Sequence, residues 1–345
     1  MLPDLSRYHC QIALPGFGDT AQLLLQQARV LVVGAGGLGC PALQYLAAAG
    51  VGTIGIADDD VVSVSNLHRQ ILYGPNDIGK KKIVVALGRL QQQNPEVNLI
   101  AYDLRVDSAN AFPLINHYDI IVDGTDNFET RYLLNDAAVI AGKPLVYGAI
   151  YQYEGQLAVW NVQNTDGSYS PNYRDLYPRV DATQIPNCAV GGVIPTLAGI
   201  IGCLQANEVI KLITHSSDVL AGKVMVFDAQ TLQSRIIKIG SVTKTDIQSL
   251  EATSPIQTIT RSDLDINAEK YELIDVRTIQ EHDLFNIGGK NIPLDELAEN
   301  IALFNRITPI VFYCATGKRS AEAVKLVKGV YPDAELYSLE SGIGY

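Results

Sequence analysis

A short β-branched run, Ala28–Val33, ends directly on Gly34-Ala-Gly36-Gly37-Leu-Gly39, and an apolar helical pattern then continues through Ala49. A strand that turns through glycines into a helix restricts the fold more than any other feature of this chain. The glycines let the main chain approach a phosphate, and the helix N-terminus supplies unpaired N–H groups and the positive end of its dipole. A second strand, Gly52–Ala57, leads to Asp58, 19 residues after Gly39, where a carboxylate reaches ribose hydroxyls. A glycine turn that serves only packing is the competing reading, and the strand-to-helix setting argues for a nucleotide.

Further strands are read at Val97–Tyr102, Ile120–Val122 and Leu145–Gly148, with helical stretches at 80–93 and 129–141. Strands alternating with helices mean an α/β, Rossmann-like, mostly parallel sheet with flanking helices. Residues 155–161 and 223–239 read as an antiparallel extension of it. The chain has 345 residues, room for two domains. Residues 1–240 hold 16 Lys and Arg against 21 Asp and Glu, and residues 241–345 hold 10 against 16, so the acidity is denser in the second part. Between the two parts lies a polar stretch rich in Ser and Thr. The division is therefore a large domain over 1–240, a linker over 241–261 and a smaller α/β domain over 262–345.

A net charge of −11 argues against nucleic acid or an anionic membrane surface as partner. Residues 30–57 and 182–207 carry no charge, yet glycines and prolines break both into pieces that suit buried strands and core helices. No charged segment followed by an apolar one opens the chain, so the expected location is the cytoplasm.

The residues after the second strand narrow the choice of nucleotide. Asn66, Arg69 and Gln70 lie in Ser65-Asn-Leu-His-Arg-Gln70, Lys82 ends a run of three lysines, and Asp123-Gly-Thr-Asp126-Asn127 closes the fourth strand. Cationic positions around one pocket suit a triphosphate, whose transferring phosphorus gains charge in the transition state, and a carboxylate at a strand's carboxyl end can hold Mg²⁺. Singly, Arg69, Lys82 and Asp126 would pass for solvated surface charges. Together with the glycine loop they argue against that reading and suit a nucleoside triphosphate.

In this order GAGGLG, DxDxVxxSNLxRQ, a lysine shortly after Gly79, DxTDN and an isolated cysteine before a glycine run resemble the ubiquitin-activating-enzyme-like adenylyltransferases of the MoeB and ThiF types, over residues 5–240. The resemblance implies that ATP adenylates the C-terminal glycine of a small ubiquitin-fold sulfur-carrier protein ending in Gly-Gly, and that the enzyme is a homodimer. It implies that Gly34, Gly36, Gly37 and Gly39 cradle the nucleotide and Asp58 binds ribose. It also implies that Asn66, Arg69 and Lys82 contact phosphates, and that Asp126, beside Asn127, serves Mg²⁺ and the reacting centre. Two features depart from the family. Its opening RYxRQ segment is Arg7-Tyr-His-Cys10-Gln11 here, so Cys10 stands at the second arginine, and Arg7 is the favoured substitute. The family's two zinc-binding CxxC pairs are also missing. The first aligns with Asn172-Tyr-Arg-Asp175 and nothing near 240–250 replaces the second, so no zinc is expected.

Five cysteines spread over the chain form neither a disulfide framework nor a zinc pattern. Cys40 and Cys203 lie within apolar helical patterns and read as core. Cys188 lies in a loop before a glycine pair, where a small buried hydrophobe is the usual reading; the resemblance favours a reactive cysteine that takes an acyl group or a persulfide. Cys314 ends the strand Pro309–Tyr313 and is followed by Ala-Thr-Gly-Lys-Arg-Ser320 and a helix. Backbone N–H groups, the helix dipole, Lys318 and Arg319 there all favour a thiolate. The CxxGxRS loop, with Asp275-Val-Arg277 and Glu281-His282, resembles the rhodanese sulfurtransferases, whose cysteine carries a persulfide. The family's usual ending, GGI with a tryptophan soon after, is Ser341-Gly-Ile-Gly-Tyr345 here, which implies a looser support under the active loop.

Joined, the two halves read as adenylylation followed by sulfur transfer from Cys314 to the activated carboxylate, with Cys188 as mediator and a sulfur donor such as a cysteine desulfurase as partner. Adenylylation beside an inactive rhodanese domain, an NAD(P)-dependent oxidoreductase and a non-catalytic carrier-binding scaffold are the competing readings.

Overall fold

A computed structural model describes residues 5–178, 192–250, 256–301, 304 and 308–344, and the chain divides into two compact units, Met1–Ala252 and Thr253–Tyr345. The large unit is built on β1 (Arg29–Val33), β2 (Thr53–Ala57), β3 (Asn98–Tyr102), β4 (Ile120–Asp123), β5 (Leu145–Tyr151), β6 (Glu154–Trp160), β7 (Lys223–Asp228) and β8 (Ser234–Lys238). These form one eight-stranded sheet in the order β3-β2-β1-β4-β5-β6-β7-β8, parallel from β3 to β5 and antiparallel beyond. The β-branched run of β1 is buried on both faces: Val30 and Val32 enter one core with Leu43, Leu46, Ile83 and Val209, while Leu31 and Val33 enter another with Leu114 and Leu134. Burial of both faces is why such strands read as unbroken apolar runs.

Helices Gly39–Ala49, Lys82–Gln93 and Pro195–Ile213 supply the first core, and Ala111–Asn116 and Phe128–Ile140 the second. Pro195–Ile213 is long and apolar enough to cross a membrane by length and composition, and half of it is buried within this unit. The chain steps outward from β1 through β2 to β3 and then returns to the other side of β1 as β4. This reversal opens a crevice at the carboxyl ends of β1 and β4, the place where open α/β sheets bind ligands.

The small unit carries β9 (Thr258–Ile259), β10 (Glu272–Asp275), β11 (Lys290–Asn291), β12 (Ile310–Tyr313) and β13 (Leu336–Leu339), all parallel, in the order β11-β10-β12-β13-β9. Ile274, Phe312 and Val327 pack on one face of this sheet, and Val311, Leu339 and Leu264 on the other. Cys314 follows β12, the central strand, and precedes the helix Lys318–Val330.

The stretch 241–261 differs from a free linker at both ends. Thr243 and Thr245 bond to Asn172 of the large unit, and Thr258–Ile259 is β9, a strand too short to leave a periodic signal. Its residues 251–255 lie outside the described residues.

Candidate functional site

The crevice is lined by two glycine turns that touch. Gly34 has φ +93°, and a Cβ on it would lie 2.7 Å from the Gly124 carbonyl oxygen; a Cβ on Gly39 would overlap the carbonyl of Gly34. Glycine is therefore required where the turn after β1 meets the turn after β4. Ala35, between these glycines, is held from both sides. Its N–H donates to Asp58 Oδ2 at 2.8 Å, and its carbonyl accepts from the Tyr73 hydroxyl at 2.8 Å and from Cys40 Sγ at 3.3 Å. Burial pushes the Cys40 thiol up to about 12, so it stays a donor, in keeping with its reading as core. Gln70 is buried with its Nε2 3.6 Å from the Cβ position of Gly36, and its Oε1 has no partner among the described residues. An open glycine cradle beside a buried, unpartnered carboxamide oxygen fits a polar ligand.

The charged residues gather on the same edge. Asp58 Oδ1 accepts the Asp60 N–H at 2.9 Å, and each Asp58 oxygen keeps a second lone pair for a ribose hydroxyl. Burial pushes the Asp58 carboxyl up, and the charge of Lys82 opposes that shift. Lys82 is itself buried in the first turn of its helix, 3.0 Å from Asp60 Oδ2. A lysine at the positive end of a helix dipole is unfavourable by itself, and Asp60 compensates it. The Arg69 side chain lies over Gly37, with Cδ 3.5 Å from that residue's Cβ position, and its guanidinium donates to the Ser65 carbonyl at 3.1 Å. Asn66 Oδ1 accepts the Ser63 N–H at 3.2 Å, which leaves its amide N–H groups without a partner among the described residues.

On the β4 side, Asp123 is fully buried and turns back to bond Thr125 through N–H at 2.9 Å and Oγ1 at 2.6 Å. Its Oδ2 faces Arg131 Nε at 3.4 Å, an ion pair too long to count as a hydrogen bond, and that guanidinium stacks 5.0 Å from the Tyr147 ring centre. Asn127 caps the helix Phe128–Ile140, accepting the Thr130 N–H at 2.9 Å. Asp126, between these anchored neighbours, is exposed and makes no hydrogen bond among the described residues. A fixed loop thus carries an unbonded carboxylate. Tyr73 and Arg131 support the site but carry no signal in the sequence; Asp60 is the second acid of the DxDxV motif, and its pairing with Lys82 emerges only in the fold.

In the small unit Cys314 is fully buried, and Gly317, with φ +86°, donates its N–H to Cys314 Sγ at 3.1 Å. It is the one backbone donor to this sulfur among the described residues, fewer than the ring of N–H groups expected. Arg319 departs from expectation as well. Its guanidinium is bidentate on Glu281, at 2.7 and 2.6 Å, so its charge is balanced rather than free for a thiolate. The Lys318 side chain lies outside the described residues. Behind the loop, Arg277 is fully buried on Asp275, which also meets His282 Nδ1 at 2.8 Å. Burial pushes the Asp275 carboxyl up, but the bonds from Arg277 and His282 outweigh it and hold the group below its ordinary value.

The sequence profile of the ThiF family matches residues 8–248. The chain belongs to the ThiF family. The profile of the rhodanese-like domain matches residues 260–344 of this ThiF-family chain. The chain is 41% identical to the probable adenylyltransferase/sulfurtransferase MoeZ of Mycobacterium tuberculosis, over 94% of this chain and 88% of that protein. It is 49% identical to the sulfur carrier protein adenylyltransferase of Thermus thermophilus, over 66% of this chain and 84% of that protein. A crystal structure of E. coli MccB shares the fold at a TM-score of 0.62 and 20% identity, over 71% of this chain and 75% of that one.

The features in which this ThiF-family chain departs from the usual pattern have clear surroundings. Asn172 is fully buried, donating to Thr243 Oγ1 at 2.9 Å and to Thr245 Oγ1 at 2.5 Å. Asp175 accepts from Thr243 Oγ1 and from the Lys244 N–H, both at 2.7 Å. Side-chain hydrogen bonds thus join the two segments. Arg7 is exposed and donates to the Gln93 carbonyl at 3.0 Å, and Cys10 is exposed. Cys203 is partly exposed in Pro195–Ile213, and burial raises its thiol. Cys188 lies outside the described residues. The tail after β13 supports the active loop instead of leaving it loose: Ile343 N–H donates to the Cys314 carbonyl at 2.9 Å and Gly344 N–H to that of Ala315 at 3.1 Å.

Proposed function

We propose that this chain adenylates the C-terminal carboxylate of a small ubiquitin-fold sulfur carrier and then converts it to a thiocarboxylate. The observation that supports this reading is the meeting of the Gly34 and Gly124 turns at the carboxyl ends of β1 and β4, with the Arg69 side chain over Gly37. Gly34, Gly36, Gly37 and Gly39 admit the phosphates, Asp58 takes the ribose, and Arg69, Asn66 and Lys82 meet the phosphate oxygens. Asp126 would hold Mg²⁺, whose charge offsets that of the phosphates. The carrier carboxylate attacks the α-phosphorus, the acyl-adenylate forms and pyrophosphate leaves.

In the second half, the Cys314 thiolate takes a sulfane sulfur from a donor such as a desulfurase persulfide. The Cys314 persulfide then attacks the acyl carbon and AMP leaves. A thiol, Cys188 or a small external one, cleaves the resulting acyl disulfide and releases the thiocarboxylate, and a further thiol regenerates Cys314. The protein is read as a cytoplasmic homodimer in which Arg7 stands in for the arginine replaced by Cys10; unchanged kinetics in Arg7→Ala would remove that role. No structural zinc is included. ATP–pyrophosphate exchange dependent on a Gly-Gly-ended carrier tests the first half, and no exchange with any such carrier would refute it. Cys314→Ser is expected to retain exchange and form no thiocarboxylate.

A further inference from the structure

Behind Cys314 lies a residue that no motif singles out. Ser338 is on β13, opposite Phe312 of β12, and only 2% of it is exposed. Its Oγ is 2.8 Å from Ser320 Oγ, which is 3.6 Å from Cys314 Sγ; Ser320 is fully buried as well. Both hydroxyls also reach the Gly317 carbonyl, Ser320 at 3.0 Å and Ser338 at 3.5 Å. Two hydroxyl protons therefore serve three acceptors: the Gly317 carbonyl, the neighbouring hydroxyl and the sulfur.

Counting protons shows what each serine does. With Cys314 as a thiol, S–H donates to Ser320, Ser320 donates to the Gly317 carbonyl, and Ser338 donates to Ser320. With Cys314 as a thiolate, the sulfur needs donors, and Ser320 turns to it by leaving the Gly317 carbonyl, which keeps the Ala321 N–H at 3.1 Å. The Ser320 oxygen has then lost the thiol proton, and Ser338, 2.8 Å away, is the hydroxyl that still donates to it. Ser320 is fully buried, and its oxygen left without a donor is costly.

We propose that Ser338 is a positioning residue for Cys314: by donating to the Ser320 oxygen, it holds the Ser320 hydroxyl turned toward the thiolate. The proposal rests on the sulfurtransferase reading above and deepens it. Charged groups surround the loop on each side: Arg319 with Glu281, and Arg277 with Asp275 and His282. None of them touches Ser338, so its removal leaves them in place.

The test uses the full chain with thiosulfate and cyanide. The Cys314 thiolate bonds to the outer sulfur of thiosulfate and sulfite leaves with the electron pair. Cyanide then takes that sulfur from the persulfide as thiocyanate and restores the thiolate. Ser338→Ala is expected to lower thiocyanate formation at neutral pH about tenfold, the loss of one buried hydrogen bond. Iodoacetamide alkylation of Cys314, followed by peptide mass spectrometry, should slow equally at neutral pH and recover in alkali. Ser338→Thr keeps the hydroxyl and should restore both. Equal alkylation of wild type and Ser338→Ala across the pH range would overturn the proposal, as would Ser338→Thr behaving as Ser338→Ala with both variants folded. Absence of thiocyanate from the wild type would refute sulfur transfer from thiosulfate, while the alkylation profile still decides the role of Ser338.

Discussion

The Glu281 carboxylate receives two parallel hydrogen bonds from the Arg319 guanidinium, and this pair ties the helix after β10 to the helix that starts beside Cys314. The bonds from Arg319 hold Glu281 down to about 2. A carboxyl lowered on folding contributes stability above its ordinary value of 4.5 and loses it as the pH falls toward 2. The two side chains are 35% and 29% exposed, so solvent screening limits the pair to about 1 kcal/mol. Glu281→Gln is expected to unfold at a lower temperature by calorimetry at pH 7, the deficit closing as the pH falls below 4.5. A deficit that persists undiminished in acid would mean that Glu281 acts by packing alone.

Lys82 is a buried cation paired with Asp60, and its charge opposes the upward shift of Asp58. Lys82→Met is expected to reduce carrier-dependent ATP–pyrophosphate exchange roughly a hundredfold, the usual cost of one well-placed donor at a developing charge. Exchange within about twofold of wild type would remove Lys82 from the phosphate site.

The bonds of Asn172 and Asp175 to Thr243, Lys244 and Thr245 join their segments with neither cysteine nor histidine among these five residues. Chelation is expected to leave the unfolding temperature unchanged, and elemental analysis to find no stoichiometric zinc. Asn172→Ala leaves buried partners unsatisfied and should cost about 2 kcal/mol in denaturant unfolding. Stoichiometric zinc would overturn this account.

Gly342 has φ +67°, and a Cβ there would run into the Cys314 carbonyl and lie 2.5 Å from the Ala315 carbonyl. Gly342→Ala must therefore displace either the tail or the active loop. Sulfur transfer is expected to fall on the order of tenfold or more, since small misplacements of reacting groups are costly. Carrier-dependent ATP–pyrophosphate exchange should be retained. Full sulfur transfer in this variant would show that the tail does not position the loop.

What the chain revealed unaided are features written in contiguous residues. The run Arg29–Val33, the glycines to Gly39 and the helix to Ala49 form one local unit whose propensities agree, and so do Ile310–Tyr313, Cys314 and the helix from Lys318. Alternation of strand and helix was enough for the parallel sheets, because each parallel connection needs a crossover. The tertiary structure decided which distant side chains meet. Sheet order brings Gly34 against Gly124, Ser338 behind Ser320, and Thr243 onto Asn172, and it creates the two-residue strands β9 and β11. It also balanced Arg319 with Glu281, a charge that the loop sequence alone presents as free. Periodicity records which face of an element is buried, whereas hydrogen bonds and close backbone contacts depend on what packs against that face.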